Sequence, residues 1–259
     1  MEIRLDGRVA LITGGSTGLG RAMAEMFAAS GAEVAIVARR PEPLEAARAA
    51  IAAAGGTAHA IAADVATADG CTAAWREATA RFGRVDILVN NAGQSATAPF
   101  ETIDDAVWQA DLDLKLFAAI RLTRLAFPDM KARKWGRVIN VLNTHAKAPG
   151  GGSAPTSVSR AAGMALTKVL ANEGAPHNVL VNAMLVGQID SDQWVRQHAR
   201  LGSNLTYEEF LAQKGKPIPM GRVGRADEFA SVACLLVSDA GGYVTGTAIN
   251  VDGGRSPVV

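Results

Sequence analysis

Short apolar runs of strand length alternate with longer stretches whose apolar residues return at helical spacing along almost the whole chain. The strand-like runs are Val9–Thr13, Val34–Ala38, Ala58–Ala62, Val85–Asn90, Arg137–Val141, Val179–Leu185 and Ala248–Val251. Between them the helix-like stretches are Arg21–Ala29, Leu44–Ala54, Cys71–Phe82, Val107–Ala132, Thr156–Glu173 and Glu228–Val237. Strands that are apolar throughout, each followed by a helix, predict a parallel sheet covered on both faces. No linker is long or polar enough to divide the chain, so residues 1–259 are expected to form one α/β domain.

One stretch breaks the rhythm. Gln188 to Pro219 carries Trp194, His198, Tyr207 and Phe210 among many polar residues, between the sixth strand and the last helix. Ligands of open α/β sheets lie beyond the carboxyl ends of the strands, and residues 188–219 follow such an end. They are the candidate substrate lid; a surface helix pair or a subunit contact is the alternative.

Composition narrows the function classes. Hydrophobic residues make up 49% and charged residues 20%, which suits a packed globular domain and argues against disorder. The net charge is +1 and the basic residues are dispersed, so neither nucleic acid nor a membrane surface is an expected partner. The two cysteines, Cys71 and Cys234, fall in separate predicted helices, which argues against a disulfide framework and against a metal site. The opening MEIRLDGRVALITGG runs straight into a strand pattern, and no run reaches the roughly 18 apolar residues of a membrane helix; the expected location is the cytoplasm.

The first strand leads into Thr13-Gly14-Gly15-Ser16-Thr17-Gly18-Leu19-Gly20 and then a helix. Glycines let the backbone bend sharply and approach a pyrophosphate, whose charge is met by free N–H groups at the helix N-terminus. The position at the first strand-to-helix junction makes this a dinucleotide fingerprint rather than a chance glycine cluster.

With that turn, Asp64-Val65 after the third strand, Asn90-Asn91-Ala92-Gly93 after the fourth, and Tyr243-Val244-Thr245-Gly246 and Val251-Asp252-Gly253-Gly254 near the end, the chain resembles the short-chain dehydrogenase/reductase family over nearly its whole length. The resemblance implies a Rossmann-type doubly wound sheet and a nicotinamide dinucleotide held by Gly14, Ser16, Thr17, Gly18, Leu19 and Gly20. It also implies adenine contacts from Asp64 and Val65, ribose-side contacts from Asn91, Ala92 and Gly93, and a strand-tying role for Asn90. Where NAD-preferring members carry an acidic residue after the second strand, this chain has Ala38 followed by Arg39 and Arg40. A guanidinium accepts a 2′-phosphate that a carboxylate repels, so NADP(H) is expected over NAD(H). After the sixth strand, Gly187, Ile189 and Ser191 stand in the segment that meets the nicotinamide end, although the family's proline is replaced by Val186.

The chemistry slots differ. By the resemblance, a tyrosine supplies the proton, a lysine one helical turn later acidifies it, a serine orients the substrate oxygen and an asparagine holds a relay water. Here Asn143 falls in the serine slot, Thr156 and Arg160 in the tyrosine and lysine slots, and Lys115 in the asparagine slot, while Ser159 and Ala162 still match. The only tyrosines, Tyr207 and Tyr243, lie far from that position. An aliphatic hydroxyl is too weak an acid to be tuned as a phenol is, and arginine holds its proton throughout the working range. Arg160, one turn after Thr156, is expected to reach the nicotinamide ribose or the substrate space; Lys115 would add a second cation, and His145 lies two residues past the serine slot.

Three readings are open at this level. The chain is an NADP(H)-dependent oxidoreductase on a carbonyl or alcohol, with Lys115 or His145 as acid/base; or an NADP(H)-binding protein without turnover, as a sensor or silent subunit; or a lyase or isomerase on an anionic small molecule drawn by Lys115 and Arg160, unless these two cations only neutralise cofactor phosphates or the adjacent Asp111 and Asp113. The apolar stripes of the two long helices, 112–132 and 156–173, imply by resemblance a homodimer or homotetramer.

Overall fold

The computed structural model describes residues 3–201 and 204–259. Seven parallel strands form one sheet in the order β3-β2-β1-β4-β5-β6-β7, with β1 Val9–Thr13, β2 Glu33–Ala38, β3 Thr57–Ala62, β4 Ile87–Asn90, β5 Gly136–Asn143, β6 Val179–Val186 and β7 Ala248–Val251. The order reverses beside β1, so the carboxyl ends of β1 and β4 flank the crevice where ligands of such sheets sit.

Alternation of side chains divides the core. Ala10 and Ile12 pack on one face with α1 (Gly18–Ala29), α2 (Pro41–Ala53) and α9 (Ala226–Val237), through Met23, Phe27, Leu44, Ile51 and Phe229. Leu11 and Leu88 pack on the other with α3 (Ala68–Phe82), α5 (Ala118–Ala132) and α6 (Thr156–Gly174), through Cys71, Ala74, Leu122, Phe127 and Ala171. Every residue of β1 and β4 is buried. Strands sunk on both faces read as unbroken apolar runs, and this is why their positions are legible in the sequence.

Helix limits differ from the apolar pattern where capping, not hydrophobicity, sets them. The α1 helix starts at Gly18, inside the glycine turn, and α3 starts at Ala68 because the Thr67 hydroxyl accepts from the Gly70 N–H at 2.9 Å. The predicted helix 107–132 is three pieces: α4 (Asp105–Leu112), a π turn over Asp113–Phe117, and α5. An apolar count cannot detect the wide turn, since it keeps the stripe and only rotates it. The insertion holds α7 (Asp192–Leu201) and α8 (Tyr207–Gly215). Among the described residues no helix is long and apolar enough to cross a membrane.

Candidate active site

A cavity of about 870 Å³ opens over the carboxyl ends of the strands. Its floor begins at the β1–α1 turn. Gly14 has φ +66°, and a Cβ there would lie 2.9 Å from Asn91 Nδ2; one at Gly20 would lie 2.1 Å from the Gly14 carbonyl oxygen. Gly20 therefore lets the turn close, and stands behind the cavity wall rather than on it. Thr13 ties the turn to β4: its hydroxyl accepts from the Asn91 and Ala92 N–H groups at 2.9 and 3.0 Å, and Asn91 Nδ2 donates to the Thr13 carbonyl at 2.9 Å. Asn90 in turn donates to Asn140 Oδ1 at 2.9 Å, linking β4 to β5.

The first turn of α1 contains no acidic residue, and Thr17, its N-cap, makes no side-chain cap bond. Its N–H groups are left for an anion at the positive end of the helix dipole. Gly14, Ser16, Thr17, Gly18 and Leu19 line the cavity here, with Arg39, Arg40, Asp64 and Val65 on the β2–β3 side, and Asn91, Ala92 and Gly93 beyond β4. Gly187 and Ser191 line the far side; Ile189 does not, being only 5% exposed and packed in the core beside Gly224.

Beneath the far end lies a buried polar cluster. Lys115, carried on the π turn, and Asp111, four residues earlier, form an ion pair with both side chains 1% exposed. The Asp111 carboxylate also accepts from Ser159 Oγ at 2.6 Å. Lys115 Nζ donates to Thr156 Oγ1 at 2.8 Å, and the Ala96 N–H donates to the same oxygen at 3.1 Å. Lys115 is thus not a second cation in the cavity, contrary to its expected place: the short helix-to-turn spacing neutralises it against Asp111, and Thr156 stands between it and the open space. Burial pushes the Lys115 ammonium below the usual lysine range; the bond to Asp111 opposes that shift and the Arg160 charge adds to it.

Arg160 borders the cavity, with Nη1 donating to the Val141 carbonyl at 2.9 Å and its guanidinium lying against Gly93, where a Cβ would come within 2.4 Å of Nη2. Burial, opposed by Asp111, lowers its pKa to about 10, so it stays cationic at neutral pH. Asn143 and the exposed His145 also line the cavity, one at the end of β5 and the other on the following turn.

Neither tyrosine occupies the chemistry end. Tyr207 O–H donates to Asp190 within an aromatic cluster that includes His198 and Phe210, and Tyr243 is fully exposed. Sequence reasoning named Asp111 only as a carboxylate that the two cations could neutralise, and did not single out Gln188, Arg196 or Arg255; these three line the cavity, and only the fold brings them there. Asp111 had a signal, its four-residue spacing to Lys115 on a helical stretch. Among the described residues no group of three His, Cys, Asp or Glu side chains could hold a metal.

The sheet order, the glycine turn and the cavity over the strand ends define a dinucleotide-fold enzyme class, and comparison with known proteins specifies it. The short chain dehydrogenase model matches residues 8–201, and the chain belongs to that family. It is 35% identical over 249 residues to the short-chain reductase protein NovJ of Streptomyces niveus, covering 95% of this chain and 93% of that protein. To the 3-oxoacyl-(acyl-carrier-protein) reductase FabG of Aquifex aeolicus it is 33% identical over 255 residues, covering 98% and 99%. The crystal structure of L-sorbose reductase from Gluconobacter frateurii, complexed with NADPH and L-sorbose, matches with a TM-score of 0.95 at 32% identity over the whole of both chains.

Proposed function

We propose that this protein is an NADP(H)-dependent oxidoreductase acting on a small carbonyl or alcohol, in which Lys115 supplies the proton through the Thr156 hydroxyl. The observation that carries this reading is the bonding of one atom. Thr156 Oγ1 has two acceptor sites, and the Lys115 ammonium and the Ala96 N–H fill them. What remains is its own hydrogen, which it donates to Asp111 Oδ1 in a long bond at the 3.5 Å limit. A substrate oxygen in the cavity, whose wall Thr156 forms, would draw that hydrogen away from this long bond.

The residues present fit a phosphorylated nicotinamide dinucleotide. The glycine cradle and uncapped α1 N-terminus suit the pyrophosphate, Asp64 and Val65 the adenine, and Arg39 and Arg40 a 2′-phosphate. Gly187, Ser191 and Arg160 suit the nicotinamide riboside. NADPH in the L-sorbose reductase complex supports this reading. When bound, the nicotinamide supplies or accepts a hydride.

The chain's own part is positioning and proton transfer. In reduction, Thr156 Oγ1 gives its proton to the substrate oxygen as it takes one from Lys115 Nζ. The hydroxyl is never left ionised, which removes the objection that a threonine is too weak an acid to act alone. Lys115, held next to Asp111, becomes the neutral amine and, once product has left, recovers its proton from cavity water by the same relay through Thr156 Oγ1; oxidation runs the same steps in reverse. Asn143, in place of the family's serine, orients the substrate oxygen, and Arg160 stabilises negative charge developing on it. The α7–α8 insertion serves as the lid. The apolar groove between α5 and α6, lined by Ile120, Phe127, Leu166 and Leu170, supports a homo-oligomer formed through these helices.

The test is consumption of NADPH, followed by its absorbance, across a panel of small carbonyl compounds. Sustained turnover on at least one member is expected; tight NADPH binding with no turnover on any overturns the reading in favour of a silent binding subunit.

A further inference from the structure

Among the described residues, the walls of the cavity carry five arginines, Arg39, Arg40, Arg160, Arg196 and Arg255, against one carboxylate, Asp64. Arg39 and Arg40 follow β2, at the end assigned to the adenosine phosphate, and Arg160 is fixed to the Val141 carbonyl. Arg255 follows β7, at the opposite edge of the sheet. Strand order puts β7 four places from β1 and five from β2, or about 19 and 24 Å at the usual strand spacing. The base of Arg255 therefore stands well away from both phosphate-binding ends. It lies instead against the close of the insertion, since Gly254 packs on Pro219 and Gly253 on Ile218. Arg196 projects from α7, the first helix of that insertion, two residues past Trp194, which also lines the cavity.

Neither guanidinium has an ion pair or a side-chain hydrogen bond among the described residues, unlike Arg121, Arg133, Arg222 and Arg225, all of which hold carboxylates. Two unpaired cations facing one cavity create a positive potential that is relieved by an anion between them. The wall that leads to them points to a ligand as well. Asn143 at the end of β5 and Gln188 just beyond β6 each bury a side-chain oxygen that has no hydrogen-bond partner, a costly state that a hydroxyl donor would satisfy. The ends of β5, β6 and β7 thus present, in order, Asn143, Gln188 and Arg255.

Resting on the function proposed above, we infer that the substrate is a hydroxyl-bearing oxo compound with an anionic head group, carboxylate or phosphate, held by Arg255 and Arg196. Its carbonyl lies at Thr156 and Asn143 Nδ2, and its hydroxyls meet Asn143 Oδ1 and Gln188 Oε1. The cations that select the anion are these two, not Lys115, which Asp111 neutralises.

The experiment uses the full chain. NADPH affinity is measured first, by titration of wild type and of Arg255→Ala and Arg196→Ala. The protein saturated with NADP+ is then titrated with matched pairs: 4-oxopentanoate against its methyl ester, and dihydroxyacetone phosphate against dihydroxyacetone. Wild type is expected to bind at least one anion about 10-fold or more tighter than its neutral partner, which corresponds to 1.4 kcal/mol or more. Which pair shows the larger gap identifies the head group. Both variants are expected to lose that preference while keeping wild-type NADPH affinity. Equal affinity for acid and ester and for phosphate and alcohol overturns the inference and leaves the dinucleotide reading intact. So does a variant that loses NADPH affinity instead of anion preference, because its arginine then serves the cofactor. Absence of NADPH binding in wild type removes the proposed function, and this inference with it.

Discussion

Replacing Lys115 by Met isolates what the buried cluster contributes to the fold. Lys115 and Asp111 are each 1% exposed at the side chain, so neither can turn to solvent when its partner is lost. In Lys115→Met, the Asp111 carboxylate keeps Ser159 Oγ at 2.6 Å but loses its paired cation, and Thr156 loses its 2.8 Å donor. In Asp111→Leu, the Lys115 ammonium is left with Thr156 as its acceptor and the Arg160 charge nearby. Breaking a buried pair from either side strands an uncompensated charge and costs about 3–5 kcal/mol, whereas replacing both partners by apolar side chains of similar volume is often close to neutral.

The hydroxyls around the pair survive the double replacement. Ser159 Oγ still reaches the Thr156 carbonyl at 3.1 Å, and Thr156 Oγ1 still accepts from the Ala96 N–H at 3.1 Å. The double variant is therefore expected within about 1 kcal/mol of wild type, giving a coupling energy of about 5 kcal/mol or more. Urea unfolding of the four proteins at one pH and one protein concentration measures it. Single-variant losses below about 1 kcal/mol, or losses that simply add in the double variant, would refute the buried-pair account.

Two further predictions concern charge. Burial holds the Lys115 pKa below its ordinary 10.5, and reduction needs the ammonium form, so the reduction rate falls as pH rises through that lowered pKa while the oxidation rate rises through it. Lys115→Arg, which cannot release its proton, is expected to lose most of the reduction rate and, in the rate that remains, this alkaline limb; an unchanged rate and limb in that variant would exclude Lys115 as the source. Replacing Arg39 and Arg40 together by alanine removes the cations at the β2 end of the cavity, and NADPH affinity by titration is expected to fall about 10–100-fold with NADH affinity nearly unchanged; equal losses for both nucleotides would contradict the 2′-phosphate assignment.

The sheet was legible because its strands are buried on both faces and leave unbroken apolar runs, and the β1–α1 turn was legible because glycine marks where the backbone must bend or pack close. Gly14 and Gly20 sit at contacts a side chain would occupy, so their identity carries their geometry. The chemistry end was less legible. The positions of Lys115, Thr156 and Arg160 could be read from spacing, but not that Lys115 faces inward, because that depends on a π turn with no apolar signature and on a partner, Asp111, on the same helical run. Arg196 and Arg255 are 59 residues apart in the chain, and Arg255 reaches the cavity only because β7 closes beside β6. No local pattern encodes such a meeting.

The central claim is that the proton passes through one hydroxyl, and Thr156→Val against Thr156→Ser tests it most directly. Valine keeps the shape and removes the hydroxyl; serine keeps the hydroxyl and removes only a methyl group. With NADPH and the carbonyl compound that wild type reduces best, the valine variant is expected to lose about 10²–10⁴-fold in kcat at unchanged NADPH affinity, and the serine variant to stay within about 10-fold of wild type. A valine variant that turns over as fast as the serine variant would contradict the relay.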